Sequence, residues 1–183
     1  MRSTKVPSEL AGPPQGRIPE PFKGEGSPVR RFARLDELQE LVGQELGCSD
    51  WVRVEQSRID QFAQATGDHQ WIHTDPARAA AGPYGATVAH GFLTLSLLPV
   101  MFATAFEVAD VTLGINYGLN RVRFPAPLPA GSRVRGHFVL REWQTLPGGA
   151  QLTVEVSMER EGSAKPVCVA ESISRRFVTA APA

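Results

Sequence analysis

The sequence predicts an α+β fold in which one long, apolar helix packs against an antiparallel sheet. Segments before residue 110 place apolar residues at helical spacing, and segments from Val111 onward alternate apolar and polar residues. Clean alternation is typical of a sheet with one buried and one wetter face, which favours antiparallel pairing. With 183 residues, the chain is long enough to bury the core that this layered architecture requires.

One domain is predicted to follow an irregular N-terminal segment. Residues 1–30 are rich in proline and glycine and show no hydrophobic period, so we expect a flexible arm, with a single domain over residues 31–183. The N-terminus lacks the apolar run of a secretory signal. The two cysteines, Cys48 and Cys168, fit neither a metal motif nor a disulfide framework. A cytoplasmic location is the resulting expectation.

Three helices are predicted in the first half of the chain. The segment RLDELQELVGQELG repeats leucine at helical spacing and is expected to stop at Gly47. The segment QSRIDQFAQATG is expected to end at Gly67. The segment TDPARAAAG is expected to begin at Pro76, behind a cap at Thr74 or Asp75. A short strand, WVRV, is predicted between the first two helices.

A fourth predicted helix is apolar nearly all round and runs from about Gly91 to Glu107. Its apolar stretch, Phe92 to Phe106, contains Pro99 and is too short for a comfortable membrane span. A helix without a polar face must be covered on more than one side. We therefore expect the strands or a second subunit to cover it, and we expect no membrane partner.

The second half of the chain predicts four strands and their turns. LGINYGLNRVRFPAP is extended and interrupted by glycine and proline, SRVRGHFVLREW and QLTVEVSMER alternate cleanly, and PVCVAESISRRFV is the last strand. LPGG and EGSAK supply the turns between the later strands.

The charge balance argues against one large class of partners. Lysine plus arginine and aspartate plus glutamate number 19 each. A net charge near zero disfavours broad electrostatic binding to nucleic acid or to acidic membranes.

The densest group of chemistry-bearing side chains lies in ATGDHQWIHTD, just past the predicted end of a helix. Asp68 and His73 are five residues apart, and on a loop their side chains can converge. A neutral imidazole beside a carboxylate can act as a general base near neutral pH. In the alternative, Asp68 accepts backbone hydrogen bonds in a turn and His73 is a satisfied core histidine. The spacing alone leaves both interpretations open.

A metal site is the other chemistry that this segment suggests. His69 and His73 are four residues apart, with Asp68 or Asp75 as a further ligand, and histidines at that spacing bind zinc when they share a helix face. However, the segment shows no clear helical pattern, no HExxH motif and no cysteine ligand. We therefore expect no metal ligands here.

The segment AHGFLTLSLL places Gly91 at the first turn of the apolar helix. A glycine there exposes its N–H and permits the close approach of a ligand, and the helix dipole favours negative charge. An enolate or thioester oxyanion is stabilised by such a donor. The alternative is a small residue at a tight helix entry, with His90 as a capping or supporting residue.

These segments together resemble a known family. FAQATGDHQWIHTDPARAAAGPYGATVAHGFLT resembles the hydratase-2 motif of MaoC-like, (R)-specific enoyl-CoA hydratases, G-D-x-N-P-[LIV]-H-x-D-P followed by A-H-G. The matching positions are Gly67, Asp68, His73, Asp75, Pro76, Ala89, His90 and Gly91. INYGLNRVRFPAPLPAGSRVRG further resembles the nodulation-protein-N-like branch, so the resemblance covers about residues 35–178.

The resemblance implies a hot-dog fold, in which an antiparallel sheet wraps a long central helix. It also implies a homodimer or higher homo-oligomer that binds acyl-CoA near the subunit interface, without a metal or redox cofactor. The implied reaction is the reversible addition of water to trans-2-enoyl-CoA, which gives (3R)-3-hydroxyacyl-CoA. Asp68 and His73 would hold the water, and the N–H of Gly91 would stabilise the thioester oxygen.

Two positions depart from the family motif. Gln70 replaces the usual asparagine and keeps the amide with one more methylene, so we expect it at the substrate site. Trp71 replaces the usual proline and is expected to narrow the acyl pocket. Tyr84 is expected at the mouth of the pocket or, alternatively, in loop packing.

Four further side chains have two interpretations each. Ser96 and Thr94 on the central helix either orient Asp68 through a hydroxyl or bond back to the previous helical turn. Arg121 and Arg123 either meet CoA phosphates or belong to a solvated strand face, and the solvated face is favoured.

Three other functions compete with the hydratase. A hot-dog acyl-CoA thioesterase often uses an acidic residue on the central helix, but Phe92 to Phe106 holds no carboxylate and Glu107 lies at its far end. The intact pair of Asp68 and His73 disfavours a non-catalytic acyl-CoA binding protein, which remains an alternative. A 3-hydroxyacyl dehydratase of fatty-acid synthesis uses the same residues in the reverse direction.

Overall fold

The computed structural model describes residues 28–178 and confirms the predicted α+β architecture. The strands are β1 Arg30–Phe32, β2 Glu45–Cys48, β3 Val52–Val54, β4 Phe106–Val108, β5 Val111–Arg123, β6 Ser132–Leu146, β7 Gly149–Arg160 and β8 Cys168–Val178. The helices are α1 Gln56–Thr66, α2 Trp71–Thr74, α3 Pro76–Ala80, α4 Gly91–Ser96 and α5 Leu98–Ala105, with a 3₁₀ helix at Leu35–Leu41. The arm predicted for residues 1–30 lies, except for its last three residues, outside the described part of the chain.

The main sheet has six strands and is antiparallel throughout. Its order is β2–β6–β7–β8–β5, and β3 also pairs with β6. The predicted alternation is confirmed, because the apolar positions of the two central strands are buried: Val134, Phe138, Leu140, Leu152, Val154, Val156 and Met158. A separate parallel pair, β1 with β4, was not predicted.

The central helix is divided, whereas the sequence suggested one continuous helix from Gly91 to Glu107. The break between α4 and α5 lies at Leu97, two residues before Pro99. Proline has no N–H to donate to the carbonyl of residue 95, and its ring crowds that carbonyl, so the regular helical pattern is interrupted. The helix also ends earlier than predicted, at Ala105, because Phe106 and Glu107 belong to β4.

One side of this divided helix forms the core and the other side is uncovered. The ring of Phe102 on α5 stacks on Phe138 of β6 with centroids 4.3 Å apart. Burying a side chain of this size stabilises the fold by about 1.5–3 kcal/mol. On the opposite side, Phe92 is 72% exposed and Val100 is 39% exposed. The helix therefore packs on the sheet as in a hot-dog fold, and no other described part of the chain covers its outer side.

The first predicted helix is shorter than expected, and its predicted stop is wrong. The 3₁₀ helix ends at Leu41, and Gly43 turns the chain with φ of 86°. Gly47 instead lies in β2, where a Cβ would stand 2.5 Å from the carbonyl oxygen of Ala105. Glycine is required there because the end of α5 approaches this strand closely.

The two helices that flank the predicted site segment are confirmed. Gly67 ends α1 in the left-handed conformation, with φ of 76°, and its N–H donates to the Ala63 carbonyl at 2.8 Å. Asp75 caps α3 by accepting from the Arg78 N–H at 3.0 Å, and Pro76 is the first helical residue. Among the described helices, none has the length and apolarity needed to cross a membrane.

Candidate active site

Three segments meet at the candidate site. Asp68 lies in the loop after α1, His73 lies on the single turn of α2, and His90 immediately precedes α4. One ligand atom from each of these three residues lies within 4.8 Å of the other two. The fold therefore brings Asp68 and His73 together and adds a second histidine.

Hydrogen bonds from neighbouring elements fix the position of α2. The Gln56 amide, from the first residue of α1, donates to the His73 carbonyl at 2.7 Å. The Thr74 hydroxyl donates to the His69 carbonyl at 3.2 Å. The Val88 N–H donates to the Ile72 carbonyl at 3.0 Å. The turn that carries His73 is therefore held from both sides.

His73 is buried in one defined tautomer. The residue is only 7% exposed, and its Nδ1 lies 2.6 Å from the Val88 carbonyl oxygen. Because a carbonyl only accepts, Nδ1 carries the hydrogen, and Nε2 of the neutral ring is left as an acceptor. Burial holds the pKa of His73 below its ordinary value, against the opposing effect of the Val88 carbonyl. The ring is therefore neutral and ready to take a proton at Nε2 near neutral pH.

Asp68 combines a turn hydrogen bond with an accessible carboxylate. Its Oδ1 accepts from the Gln70 N–H at 3.3 Å, as the turn interpretation expected. The side chain is nevertheless 55% exposed, so its other lone pairs remain available to a water molecule or a ligand. The structural interpretation and the catalytic one are thus compatible for this residue.

His90 links the other two members of the site. Its ring is 3% exposed and stacks on the His73 ring, with centroids 3.7 Å apart and 25° between the planes. Its Nε2 donates to the Asp68 main-chain carbonyl at 2.9 Å. The side chain does not cap α4. His90 therefore supports the loop and the ring that carry the two candidate catalytic groups.

The sequence alone leaves the role of His90 open between capping and supporting the site. Its position directly before Gly91 was the available signal, but its contact with Asp68 bridges 22 residues of sequence. Its Nδ1 is buried without a hydrogen-bond partner among residues 28–178.

The group that can hold a metal ion in the described part of the chain is Asp68, His73 and His90. It is not the set that the sequence suggested as an alternative. His69 is exposed and lies outside this group. The Asp75 carboxylate is occupied as the cap of α3.

Gly91 begins α4 beside a cavity of about 380 Å³. As the first helical residue, its N–H has no acceptor in a preceding turn. A Cβ at Gly91 would stand 2.7 Å from the Phe124 ring, so the phenyl group packs directly on the glycine. Tyr84 and Ile72 also line this cavity. The structure thus places Tyr84 near Gly91, on the side where a ligand can approach.

Gln70 and Trp71, the two residues that depart from the family motif, lie in different environments. Gln70 is exposed and precedes α2 without capping it. The Trp71 ring instead lies under the Arg78 guanidinium at 4.4 Å, and a Cβ at Gly82 would touch it at 3.0 Å. Trp71 is not among the residues that line the cavity beside Gly91. The expected narrowing of an acyl pocket by Trp71 is therefore not what these contacts show.

The hydroxyl groups of the central helix bond back to the previous turn. Ser96 donates to the Leu93 carbonyl at 2.7 Å, and Thr94 donates to the His90 carbonyl at 3.2 Å. Neither hydroxyl has a hydrogen bond to Asp68 in the structure. Ser96 does line a second cavity, on the side of α4 that faces β5.

Arg121 and Arg123 lie at the exposed end of β5. Arg121 pairs with Glu171 at 3.2 Å, and Arg123 donates to the neighbouring Val122 carbonyl at 2.7 Å. Both side chains are on a solvated part of the strand.

The fold and the site define a hot-dog domain with a carboxylate and a neutral imidazole at the start of its central helix. Comparison with known proteins agrees with this description. Residues 37–162 match the family model described as a MaoC like domain. The chain is 55% identical over 148 residues to 3-hydroxyacyl-thioester dehydratase Z of Mycobacterium tuberculosis, covering 80% of this chain and 98% of the relative.

Other similar proteins fall in the same family. The chain is 50% identical over 144 residues to nodulation protein N of Rhizobium leguminosarum bv. viciae, covering 76% of this chain and 89% of that protein. The structure of the (R)-hydratase from A. caviae involved in PHA biosynthesis superposes with a TM-score of 0.59 at 20% identity, covering 73% and 94% of the two chains. A MaoC-like dehydratase from Rhodospirillum rubrum gives a TM-score of 0.64 at 21% identity, covering 79% and 98%.

The chain belongs to the MaoC-like domain family, and the hot-dog fold that the sequence implied is confirmed. The relative that is 55% identical over 148 residues is named a dehydratase, and the chain belongs to a family of hydro-lyases.

Proposed function

We propose that the chain catalyses the reversible addition of water to a trans-2-enoyl thioester, which gives a (3R)-3-hydroxyacyl thioester. The observation that carries the proposal is the buried, neutral His73, whose Nδ1 is bound to the Val88 carbonyl and whose Nε2 is free to accept a proton. The Asp68 carboxylate lies beside it and is open to solvent. A water molecule held between these two acceptors is polarised for attack.

The reaction follows from this arrangement of atoms. Nε2 of His73 takes one proton of the water while Asp68 accepts a hydrogen bond from the other. The water oxygen forms a bond to the β-carbon, and the electron pair of the double bond moves through the α-carbon onto the thioester oxygen. The α-carbon then takes the proton from Nε2 of His73, on the same face of the double bond. One H and one OH are therefore added in total. Dehydration is the same sequence in reverse.

Gly91 supplies the donor for the thioester oxygen. Its N–H stands at the start of α4, directly after His90, and Gly91 lines the same cavity as Phe124 and Tyr84. Removing one donor of this kind typically raises a barrier by about 2.7–4 kcal/mol. Gln70 and Tyr84 are proposed to contact the substrate around this position, Gln70 through its exposed amide and Tyr84 from the cavity wall.

The same site is also proposed to catalyse the reverse reaction, dehydration, on a thioester of either CoA or acyl-carrier protein. A relative 55% identical to this chain is named a 3-hydroxyacyl-thioester dehydratase, and this name favours dehydration of a 3-hydroxyacyl thioester. Both CoA and acyl-carrier protein provide the thioester that the chemistry requires. The thioesterase alternative has less support, because the carboxylate that follows the central helix, that of Glu107, pairs with Arg31 at 3.3 Å on the surface.

The protein is further proposed to act as a homodimer. β5 is an edge strand of the main sheet and exposes four large apolar side chains: Leu113, Ile115, Tyr117 and Leu119. An exposed apolar edge invites pairing with another strand. Phe92 on the uncovered side of α4 lines the same cavity as Tyr117 and Leu119. A second copy paired along β5 would cover the outer side of the central helix and close this cavity on its open side without filling it.

A spectrophotometric assay tests the proposed reaction. Addition of the protein to trans-2-enoyl-CoA of graded chain length is expected to remove absorbance at the enoyl thioester band, without release of free thiol. (3R)-3-hydroxyacyl-CoA is expected to produce the same absorbance in the reverse assay, and carrier-protein thioesters decide the carrier. Thiol release would establish a thioesterase instead, and binding without any change in absorbance would establish a non-catalytic acyl-CoA binding protein.

A further inference from the structure

Two adjoining cavities of about 420 Å³ each lie along the central helix, between it and strands β5 and β8, and both are lined by Pro99 and Asn116. We refer to the two cavities together as the channel. The first cavity begins at Phe92 and Ser96, within two turns of Gly91, and is mostly apolar. The second continues past Pro99 along α5 and is lined by Phe102 and Phe106 on the helix side.

Arg176 of β8 lies at the far part of this channel. Its strand partner across the sheet is Gly114, and a Cβ at Gly114 would stand 3.0 Å from Nη1 of Arg176. The other two atoms nearest to that Cβ position also belong to the Arg176 side chain, so the missing side chain of Gly114 leaves the space that this guanidinium fills. Arg176 and Gly114 both line the second cavity.

The guanidinium of Arg176 is a charge without a counter-charge in the described part of the chain. Its Nε is buried and has no hydrogen-bond partner among residues 28–178, and the structure gives it no ion pair there. Burial lowers the pKa of Arg176, with no carboxylate acting in the opposite direction. Arginine nevertheless stays protonated, so the fold carries the desolvation cost of a largely buried cation.

The acidic group in the same cavity does not neutralise Arg176. Glu107 lines the cavity mouth, but its carboxylate pairs with Arg31 at 3.3 Å and is 57% exposed. The other polar side chains of the lining, Asn116 and Ser174, carry no charge. An anion with an apolar stem that reaches along the channel would meet both the apolar walls and this cation.

We propose that the channel holds the acyl chain of the thioester and that Arg176 binds a carboxylate at the far end of that chain. This proposal rests on the proposed function, because the channel starts beside the helix whose first residue, Gly91, is assigned to the thioester oxygen. Phe102 follows Gly91 by 11 residues, and α4 and α5 each rise by about 1.5 Å per residue on either side of the break at Leu97, so the two residues are separated by up to about 17 Å. The substrate class is therefore medium- or long-chain acyl thioesters with a terminal carboxylate.

The test compares two unreactive ligands that differ only at the chain end. Dodecanoyl-CoA and its analogue with a terminal carboxylate are titrated calorimetrically into the full-length protein, and shorter and longer matched pairs follow. The measured quantity is the ratio of the two dissociation constants. A charged hydrogen bond contributes about 1.5–3 kcal/mol, so Arg176→Gln is expected to shift this ratio against the carboxylated ligand by about ten- to a hundredfold.

Two further variants separate recognition from folding. Arg175→Gln is the matched control, because Arg175 is the adjacent residue, lies over the Tyr117 ring at 3.5 Å and donates to Gln151 at 3.0 Å. It is expected to leave the ratio unchanged. Gly114→Ala keeps the charge but displaces the guanidinium, and it is expected to shift the ratio in the same direction as Arg176→Gln by a smaller factor.

The outcomes distinguish this proposal from the proposed function. An unchanged ratio in Arg176→Gln and Gly114→Ala would overturn the proposal, as would equal weakening of both ligands, which would assign Arg176 to the CoA phosphates. Turnover is measured separately with trans-2-dodecenoyl-CoA. Its absence would end the hydratase assignment, whereas the ratio reports on the carboxylate site whether or not turnover occurs.

Discussion

The imidazole rings of His73 and His90 stack face to face, with centroids 3.7 Å apart. Each ring donates one N–H to a main-chain carbonyl, that of Val88 for His73 and that of Asp68 for His90. Protonating His73 would therefore place a positive charge in a buried stack against a second imidazole. The arrangement favours a neutral His73 with a fixed acceptor nitrogen, which is the state that a general base requires.

The first prediction concerns pH. Because burial holds the pKa of His73 below its ordinary value, kcat/KM is expected to be level around neutrality and to fall only when the pH drops through that lowered pKa. An acid limb at or above the ordinary histidine pKa would contradict this expectation.

The free energy of unfolding is also expected to depend on the protonation of His73. The unfolded chain binds a proton to His73 more readily than the folded chain does, so the free energy of unfolding should fall as the pH drops below the ordinary histidine pKa. Denaturant unfolding at neutral and mildly acidic pH measures this fall. His73→Gln should flatten the dependence, and a dependence as steep as that of the wild type in this variant would contradict the expectation.

A second prediction concerns the contact between Gly91 and Phe124. A methyl group at Gly91 would stand 2.7 Å from the phenyl ring, so Gly91→Ala must push the ring aside and block the approach to the helix start. We expect kcat/KM to fall by about ten- to a hundredfold, the range that corresponds to roughly 1.4–2.8 kcal/mol of barrier. Steady-state kinetics of the double variant Gly91→Ala with Phe124→Ala should recover part of the loss. A wild-type rate in the single variant Gly91→Ala would remove Gly91 from the site.

Metal removal gives a third prediction. Asp68, His73 and His90 can hold a metal ion, but the proposed mechanism uses Nε2 of His73 as a free base. Extended dialysis against a chelator is therefore expected to leave the rate unchanged, and added zinc is expected to inhibit by occupying that nitrogen. Loss of activity on chelation, with recovery on metal addition, would contradict the mechanism.

A fourth prediction concerns assembly through β5. Tyr117 is 55% exposed on the apolar edge strand, and Tyr117→Glu places a charge in the proposed dimer contact. Light scattering after gel filtration should show a dimer for the wild type and a monomer for this variant. Val42→Glu alters an exposed apolar residue away from β5 and should remain dimeric. A wild-type protein that is monomeric at micromolar concentration would refute the contact.

The sequence predicted the parts of the fold that depend on local pattern. Alternation along β6 and β7 identified the buried sheet face, and the turn signals at Gly67 and Pro76 placed the ends of α1 and α3. The division of the central helix at Pro99 was not predicted, although proline was the available signal. Gly47 resembled a helix stop, because only the packed structure shows that the Ala105 carbonyl approaches it from another element.

Part of the candidate site could also be predicted from the sequence, and part of it could not. Asp68 and His73 are close in sequence, and their meeting could be anticipated from a five-residue separation after a helix. The stack of His73 on His90 joins residues 17 positions apart, and it depends on how the segment before α4 folds back onto α2. The sequence also could not predict that the guanidinium of Arg176 lies in the channel, because its neighbour Gly114 belongs to another strand.

The central claim is that Asp68 and His73 activate one water molecule between them. Asp68→Asn and His73→Gln keep the size of each side chain and remove its ability to accept a proton. Turnover of crotonyl-CoA is expected to fall by about 10²- to 10⁴-fold in each variant, with an unchanged circular dichroism spectrum and wild-type turnover in the His69→Gln control. Near-wild-type rates in both variants would contradict the assignment of this pair to catalysis.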